Sequence, residues 1–230
     1  VNVCLGSEFP NYEHFLKPET LVIAVSQSGE TADILDSIRT AKAKGSKVIS
    51  IVNVVGSSLA RESDKSLLQN AGPEICVLST KSYTSQLAIL VLLAYALAGK
   101  YDEGKAKLKN LINYIYYLTS ANTKNHIRQI AEKLKDSHHV YLIGRGMQYP
   151  TAIEAALEIK EVSYIHAEGF AGGELKHGTI ALIEKGTPCI VFTSNETEKE
   201  IISNAIELKA RGAYLIGIGP KDNEIFDFFI

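Results

Sequence analysis

Val25-Ser26-Gln27-Ser28-Gly29-Glu30-Thr31 crowds three hydroxyls and a glycine between two stretches of different period. Upstream, Leu21 to Val25 is an unbroken apolar run rich in β-branched residues, which reads as a strand buried on both faces of a parallel sheet. Downstream, Ile34, Ile38 and Ala41 recur at helical spacing as far as Gly45, a residue suited to stopping a helix. A strand-to-helix turn of this composition offers backbone N–H groups, the positive end of a helix dipole, and the side chains of Ser26, Gln27, Ser28 and Thr31. It is a candidate anion cradle. The plainer reading is that Ser28 caps the helix and Thr31 decorates its first turn.

No Lys or Arg lies within the seven residues, so an anion there is held by neutral donors. Hydrogen bonds to a charged group are worth about 1.5–3 kcal/mol each, and four or five of them suffice for one phosphate. A phosphomonoester on a small metabolite fits better than a nucleoside triphosphate, which calls for a Lys and a magnesium ion.

Composition narrows the classes further. The 230 residues suit two modest α/β units, and a 46% hydrophobic content is ample for their cores. A net charge of -2 with interspersed signs argues against nucleic acid as a partner. Cys4, Cys76 and Cys189 are odd in number and widely spaced, which favours reduced thiols in a cytoplasmic setting. The most apolar stretch, Leu87 to Ala98, is too short to span a bilayer and reads as a helix buried all round, so no membrane partner is expected.

Taken in order, the pattern predicts strands at Val1–Cys4, 21–25, 47–52, 66–69 and 74–77, with a short helix within 7–18 and a helical turn within 53–64. Helices are expected at about 81–99, 104–118 and 122–136. A second unit then opens with a strand at 140–143, a turn Gly144-Arg145-Gly146, and a helix over 150–163. A strand at 188–193, a helix at 196–211 and a strand at 213–218 follow. Residues 25–31 align with Phe192-Thr-Ser-Asn-Glu-Thr197 after one glycine is dropped, and each segment leads into a helix ending in Lys44-Gly45 or Arg211-Gly212. The halves read as an internal repeat, with domains at 1–103 and 104–230. Counted back from the loops, the first half lacks the counterpart of 140–163, and the second stops before any counterpart of 81–99. A fragment cut at both ends is expected.

Other stretches carry candidate chemistry. Gly144-Arg-Gly-Met-Gln-Tyr149 lacks the third glycine of a dinucleotide fingerprint, so its glycines serve a tight turn or a close backbone approach. On the helix over 150–163, Ala152, Ala155, Ala156, Ile159 and Val162 form a core stripe, with Glu154, Glu158 and Glu161 opposite. That acidic row is either a solvated face or a place where repulsion and partial burial raise a carboxyl pKa toward general-base use. His166, Glu168, Glu174 and His177 are open to catalytic, substrate-contacting or structural roles, and their number does not favour a metal site. The hydroxyls of Ser79-Thr80-Lys81-Ser82 either cap a helix or bind ligand oxygens.

Ser26-Gln-Ser-Gly-Glu-Thr31, Ser79-Thr-Lys81, Gly144-Arg-Gly-Met-Gln-Tyr-Pro150, Lys160-Glu-Val-Ser-Tyr-Ile-His-Ala-Glu168 and Gly173-Glu-Leu-Lys-His-Gly178 occur in an order and spacing that resemble the isomerase part of the glucosamine-6-phosphate synthase family. That family converts fructose 6-phosphate and glutamine-derived ammonia to glucosamine 6-phosphate. The resemblance implies two tandem sugar-isomerase (SIS) domains, each a flavodoxin-like αβα sandwich on a parallel sheet. It implies that Ser26, Gln27, Ser28 and Thr31 hold the sugar phosphate and that the Val77 backbone and Ser79 hydroxyl contact the sugar. Glu161 would then carry a proton between C1 and C2, and His177 would reach in from the partner of a homodimer to assist ring opening. No cofactor and no metal are expected.

The sequence departs from the family in having Glu158 where a lysine is common. The family's Schiff-base lysine would fall beyond Ile230, and its glutaminase domain and the opening glycine turn of its first SIS domain before Val1. Residues 1–230 are therefore not expected to complete catalysis unaided. Two alternatives remain: a fructosamine-phosphate deglycase or other SIS sugar-phosphate isomerase, and a non-catalytic module that senses sugar phosphates.

Overall fold

A computed structural model describes all residues, Val1–Ile230. The chain divides into two units, Val1–Ile112 and Asn113–Ile230.

In the first unit, a 3₁₀ helix over Gly6–Phe15 precedes β1 (Leu21–Ser26), α1 (Ala32–Ala43), β2 (Lys47–Val52), α2 (Ser58–Glu62) and β3 (Lys65–Leu68). The three strands pair in parallel in the order β1-β2-β3. One face of the sheet is closed by the helical stripe expected from the sequence: Ile38 and Ala41 pack with Ala24, Val48, Val52 and Leu59. On α1, Ile34, Ile38 and Ala41 face the sheet as their spacing requires, and Gly45 ends the helix with φ +81°. α3 (Thr80–Leu97) follows, and α4 (Tyr101–Leu118) runs across the division between the units.

In the second unit, α5 (Ala121–Leu134), β4 (His139–Gly144), α6 (Gln148–Ser163), β5 (His166–Ala171), β6 (Pro188–Phe192), α7 (Glu198–Ala210), β7 (Tyr214–Ile218) and β8 (Phe228–Phe229) build a five-stranded parallel sheet ordered β5-β4-β6-β7-β8. Alternate residues of β4 serve opposite faces, as strand geometry dictates. Tyr141 and Ile143 join the core under α7 with Ile201, Ala205 and Leu208. Val140 and Leu142 join the core under α5 and α6 with Ile130, Ala152 and Ala156. This is an αβα sandwich.

The repeat is written in hydrogen bonds as well as in order. Thr20 Oγ1 accepts from the Lys17 N–H at 3.0 Å, and Thr187 Oγ1 from the Glu184 N–H at 3.0 Å. Asp64 Oδ2 accepts from the Val48 N–H at 2.8 Å, and Asp227 Oδ2 from the Leu215 N–H at 2.8 Å. In both units a carboxylate just before one strand closes the start of its neighbour.

Several expectations are corrected. Val1–Cys4 and Glu74–Val77 are not strands, and Ile75 and Val77 lie in the open. Leu21–Val25 is a strand at the edge of its sheet and is not covered on both faces, since Leu21 and Ile23 are exposed. The helix read as buried all round, α3, buries only Ser82. Its apolarity is real, but no layer of this chain encloses it. On α6 the core stripe stops at Ile159, leaving Val162 exposed in the last turn. β5 was not anticipated, because the mixed run His166-Ala-Glu-Gly-Phe-Ala171 lacks an apolar period.

Candidate active site

The turn after β1 is an ordered hydroxyl loop. Ser26 is buried, and its Oγ accepts from the Gly29 N–H at 3.0 Å and lies 3.2 Å from Thr31 Oγ1. Ser28 Oγ accepts from the Glu30 N–H at 3.2 Å. Gly29 has φ +69°, a left-handed conformation that favours glycine. The capping expected of Ser28 is not found, and Thr31, expected in the first turn, stands at the cap position. Thr31 occupies the cap position of α1 without bonding its side chain to the helix, and Ser28 bonds within the turn. The positive end of α1 is thus left to whatever lies over the loop.

Residues outside the loop, together with Glu30 within it, hold it in place. Gln69, itself buried, donates from Nε2 to the Ser26 carbonyl at 3.4 Å. Glu30 reaches the start of α2 and accepts the Ser58 N–H at 2.8 Å, and this bond holds its carboxyl below the usual range. The Asn53 N–H donates to the Gln27 carbonyl at 3.0 Å. The Asn53 side chain then accepts from the Ala71 N–H at 3.0 Å and donates to the Gly72 carbonyl at 2.7 Å. Asn53 therefore ties the hydroxyl loop to the segment that leads to Val77 and Ser79. The residue types gave no warning of this, because each bond spans a long stretch of chain.

The Val77 backbone lies in an exposed bend, and Ser79 sits at the cap position of α3. Its side chain does not cap the helix. Glu74 takes that role, accepting from the Ser82 N–H at 2.9 Å and the Ser82 hydroxyl at 2.6 Å, which lowers its pKa. Lys81 Nζ donates to the Pro73 carbonyl at 2.6 Å, fixing the same bend from the other side.

In the second unit, Gly144 gives β4 the tight exit that its sequence implied. A Cβ there would meet the Gln148 carbonyl and lie 2.8 Å from the Tyr149 nitrogen. α6 carries the acidic row: Glu154 and Glu158 are half-buried and Glu161 is exposed. Burial pushes the Glu154 carboxyl above its ordinary value, and the neighbouring charges of Glu158 and Glu161 add to the shift. The raised carboxyl that like charges were expected to produce falls on Glu154.

His177 ends a 3₁₀ turn over Gly172–His177 and is exposed. His166 lies beside His139 on the neighbouring strand, Nδ1 to Nδ1 at 3.2 Å. No three His, Cys, Asp or Glu side chains gather as metal ligands would. No helix is long and apolar enough to cross a membrane.

Two parallel α/β units, one with a cation-free hydroxyl loop at the C-terminal end of a strand, define a protein that repeats a parallel α/β fold. The chain belongs to the SIS domain family, whose model matches residues 2–96 and 133–226. A glutamine–fructose-6-phosphate aminotransferase (isomerizing) of Pyrococcus horikoshii is 44% identical over 224 residues, 95% of this chain and 38% of that relative. The chain therefore spans 38% of the length of that curated relative. Among solved structures, the C-terminal domain of glucosamine-fructose-6-phosphate aminotransferase from Francisella tularensis superposes with a TM-score of 0.80 at 40% identity, covering 91% of this chain and 63% of that one. Glucosamine-6-phosphate deaminase from Thermotoga maritima superposes with a TM-score of 0.79 at 25% identity, covering 98% and 67%.

Proposed function

We propose that this chain is the sugar-isomerising portion of an enzyme that converts fructose 6-phosphate and glutamine-derived ammonia to glucosamine 6-phosphate. Ammonia replaces the C2 carbonyl oxygen, which leaves as water; one proton then passes from C1 to C2 and another from the C1 hydroxyl to the nitrogen, giving the aldehyde and the amine. Ser26, Gln27, Ser28 and Thr31 hold the phosphate, and the Val77 backbone and Ser79 hydroxyl contact the sugar. Glu161 carries the proton. One carboxylate suffices because both carbons present their proton to the same face of a planar enolamine. His177, supplied by the second copy in a homodimer, assists ring opening, and the protein works in the cytoplasm beside a glutaminase domain.

The observation that carries this reading is the hydroxyl loop itself: neutral donors at the uncapped positive end of α1, suited to a monoester. The 44% identity to an isomerizing aminotransferase supports the choice of substrate. In the intact protein, Glu161→Gln is expected to bind fructose 6-phosphate as the parent does while losing isomerisation. Undiminished turnover removes Glu161 from its role. Comparison of fructose 6-phosphate with fructosamine phosphates as substrates separates the aminotransferase from a deglycase.

A further inference from the structure

The 3₁₀ turn Gly172–His177 is clamped onto α7 at two places. Leu175, wholly buried, enters the core of Ile201, Ala205 and Leu208. Lys176 Nζ pairs with Glu207 at 3.0 Å. Against the opening of the turn lies a further bond to α7: Arg145, which follows β4 in the glycine turn, donates from Nε to Oδ1 of Asn204 at 2.9 Å, across 59 positions of sequence. Asn204 is 7% exposed.

The two glycines that open the turn lie flat against this pair. A Cβ on Gly172 would sit 2.8 Å from Asn204 Oδ1 and 3.0 Å from Ile201 Cδ1, and a Cβ on Gly173 would sit 3.3 Å from Arg145 Nη2. Only residues without side chains let the backbone approach so closely. The first unit repeats the device at the matching helix position. Ser37 of α1, 8% exposed, has its Oγ 2.6 Å from the Asp33 carbonyl of its own helix and 3.1 Å from the Gly6 carbonyl at the start of the 3₁₀ helix, its one proton shared between them. In both units a buried polar side chain on the crossover helix lies against the opening of the preceding 3₁₀ segment, and in the second it is bonded by an arginine where the segment ends in His177.

We infer that Arg145 and Asn204 are positioning residues that fix the turn bearing His177, and so govern turnover through His177 without touching the sugar. The inference rests on the role proposed above for His177. A misplacement of about 1 Å costs on the order of 100-fold in rate, and a loosened turn allows displacements of that size.

The test uses the intact protein and fructose 6-phosphate. Asn204→Leu removes the acceptor at similar volume, Arg145→Lys keeps the charge and removes the Nε donor, and Asn204→Asp keeps an acceptor for Arg145. The expected result is a fall in kcat of roughly 10- to 100-fold for N204L and R145K with KM within twofold, and near-parental turnover for N204D. In a His177→Ala background, N204L should add no further loss, because residues acting as a unit are not additive. The inference is overturned if N204L loses as much in that background as in the parent, if N204D is as slow as N204L, or if N204L and R145K turn over normally. Should N204L fail to fold, R145K carries the same test at a half-buried site. His177→Ala with full turnover overturns the role of His177, whereas a slow H177A beside fully active R145K and N204L overturns the clamp alone.

Discussion

Gly29→Ala probes the hydroxyl loop at its tightest point. Gly29 has φ +69°, and an L-residue held in the left-handed region costs about 1–2 kcal/mol. The new Cβ would collide with Ser57 Oγ and lie 2.6 Å from Ser57 Cβ. Ser57 is 2% exposed and cannot swing into solvent, so relief comes from shifting the start of α2, where Leu59 is wholly buried. Overpacking of that kind costs about 1–3 kcal/mol. The sum is about 2–5 kcal/mol, a large part of the stability of a small unit. Urea denaturation followed by circular dichroism measures the loss, and calorimetric titration with inorganic phosphate shows whether the loop still binds. Ser57→Gly removes both colliding atoms and sacrifices no hydrogen bond, since Ser57 Oγ is buried without a partner. The double variant should therefore recover the packing share and retain only the conformational one. The reasoning fails if G29A lies within about 0.5 kcal/mol of the parent, the range of an indifferent surface change, or if S57G restores nothing.

Three further outcomes are expected. Asp64 is held below its ordinary pKa chiefly by the Val48 N–H, and Asp227, although burial pulls the other way, by Lys209 and the Leu215 N–H. With folded values below the unfolded one near 4, their stabilisation is complete above about pH 4 and is lost as pH falls through the folded values. Asp227→Asn should thus weaken the fold at pH 7 and flatten its acid-unfolding curve. Burial pushes the Cys189 thiol up to about 12, so a disulfide reagent at pH 7.5 should modify exposed Cys4 and Cys76 in the native protein and Cys189 only after unfolding. Glu158→Gln removes one of the two charges that reinforce the burial effect on Glu154, and the Glu154 carboxyl should titrate at lower pH by NMR; an unchanged value would show that the Glu158 charge does not contribute to the shift.

The parts of the fold legible in the sequence are those whose cause is local. Ile34, Ile38 and Ala41 specify a face of α1 by spacing alone, and Gly45 and Gly212 mark helix ends that the chain cannot avoid. Apolar character that depends on a distant partner is read less well: α3 looks like a core helix, yet no layer of this chain covers it. β5 was hidden because its residues carry motif chemistry in place of a strand period. The hydroxyl loop was visible since its groups lie within seven residues, whereas Asn53, Gln69, Glu74 and the Arg145–Asn204 pair act across 8 to 59 positions. Long-range hydrogen bonds leave no periodic trace.

The repeat itself separates scaffold from chemistry. Bonds that build the sandwich recur in both units: Thr20 and Thr187 close the same turn, and Asp64 and Asp227 close the same strand start. The loops after β1 and β6 both pair two hydroxyls, Ser26 with Thr31 at 3.2 Å and Ser194 with Thr197 at 3.1 Å. They differ at three aligned positions, Ser26/Thr193, Gln27/Ser194 and Ser28/Asn195, and in length by Gly29. The second loop has no counterpart of Gly29, so it cannot place a left-handed residue there and return an N–H to the hydroxyl at the end of the strand, as Gly29 does to Ser26 at 3.0 Å. If the left-handed turn at Gly29 is what suits the first loop to an anion, inserting Gly after Asn195 should increase the affinity of the second loop for inorganic phosphate; unchanged phosphate binding by the insertion variant would show that the side chains, not the backbone turn, distinguish the two loops.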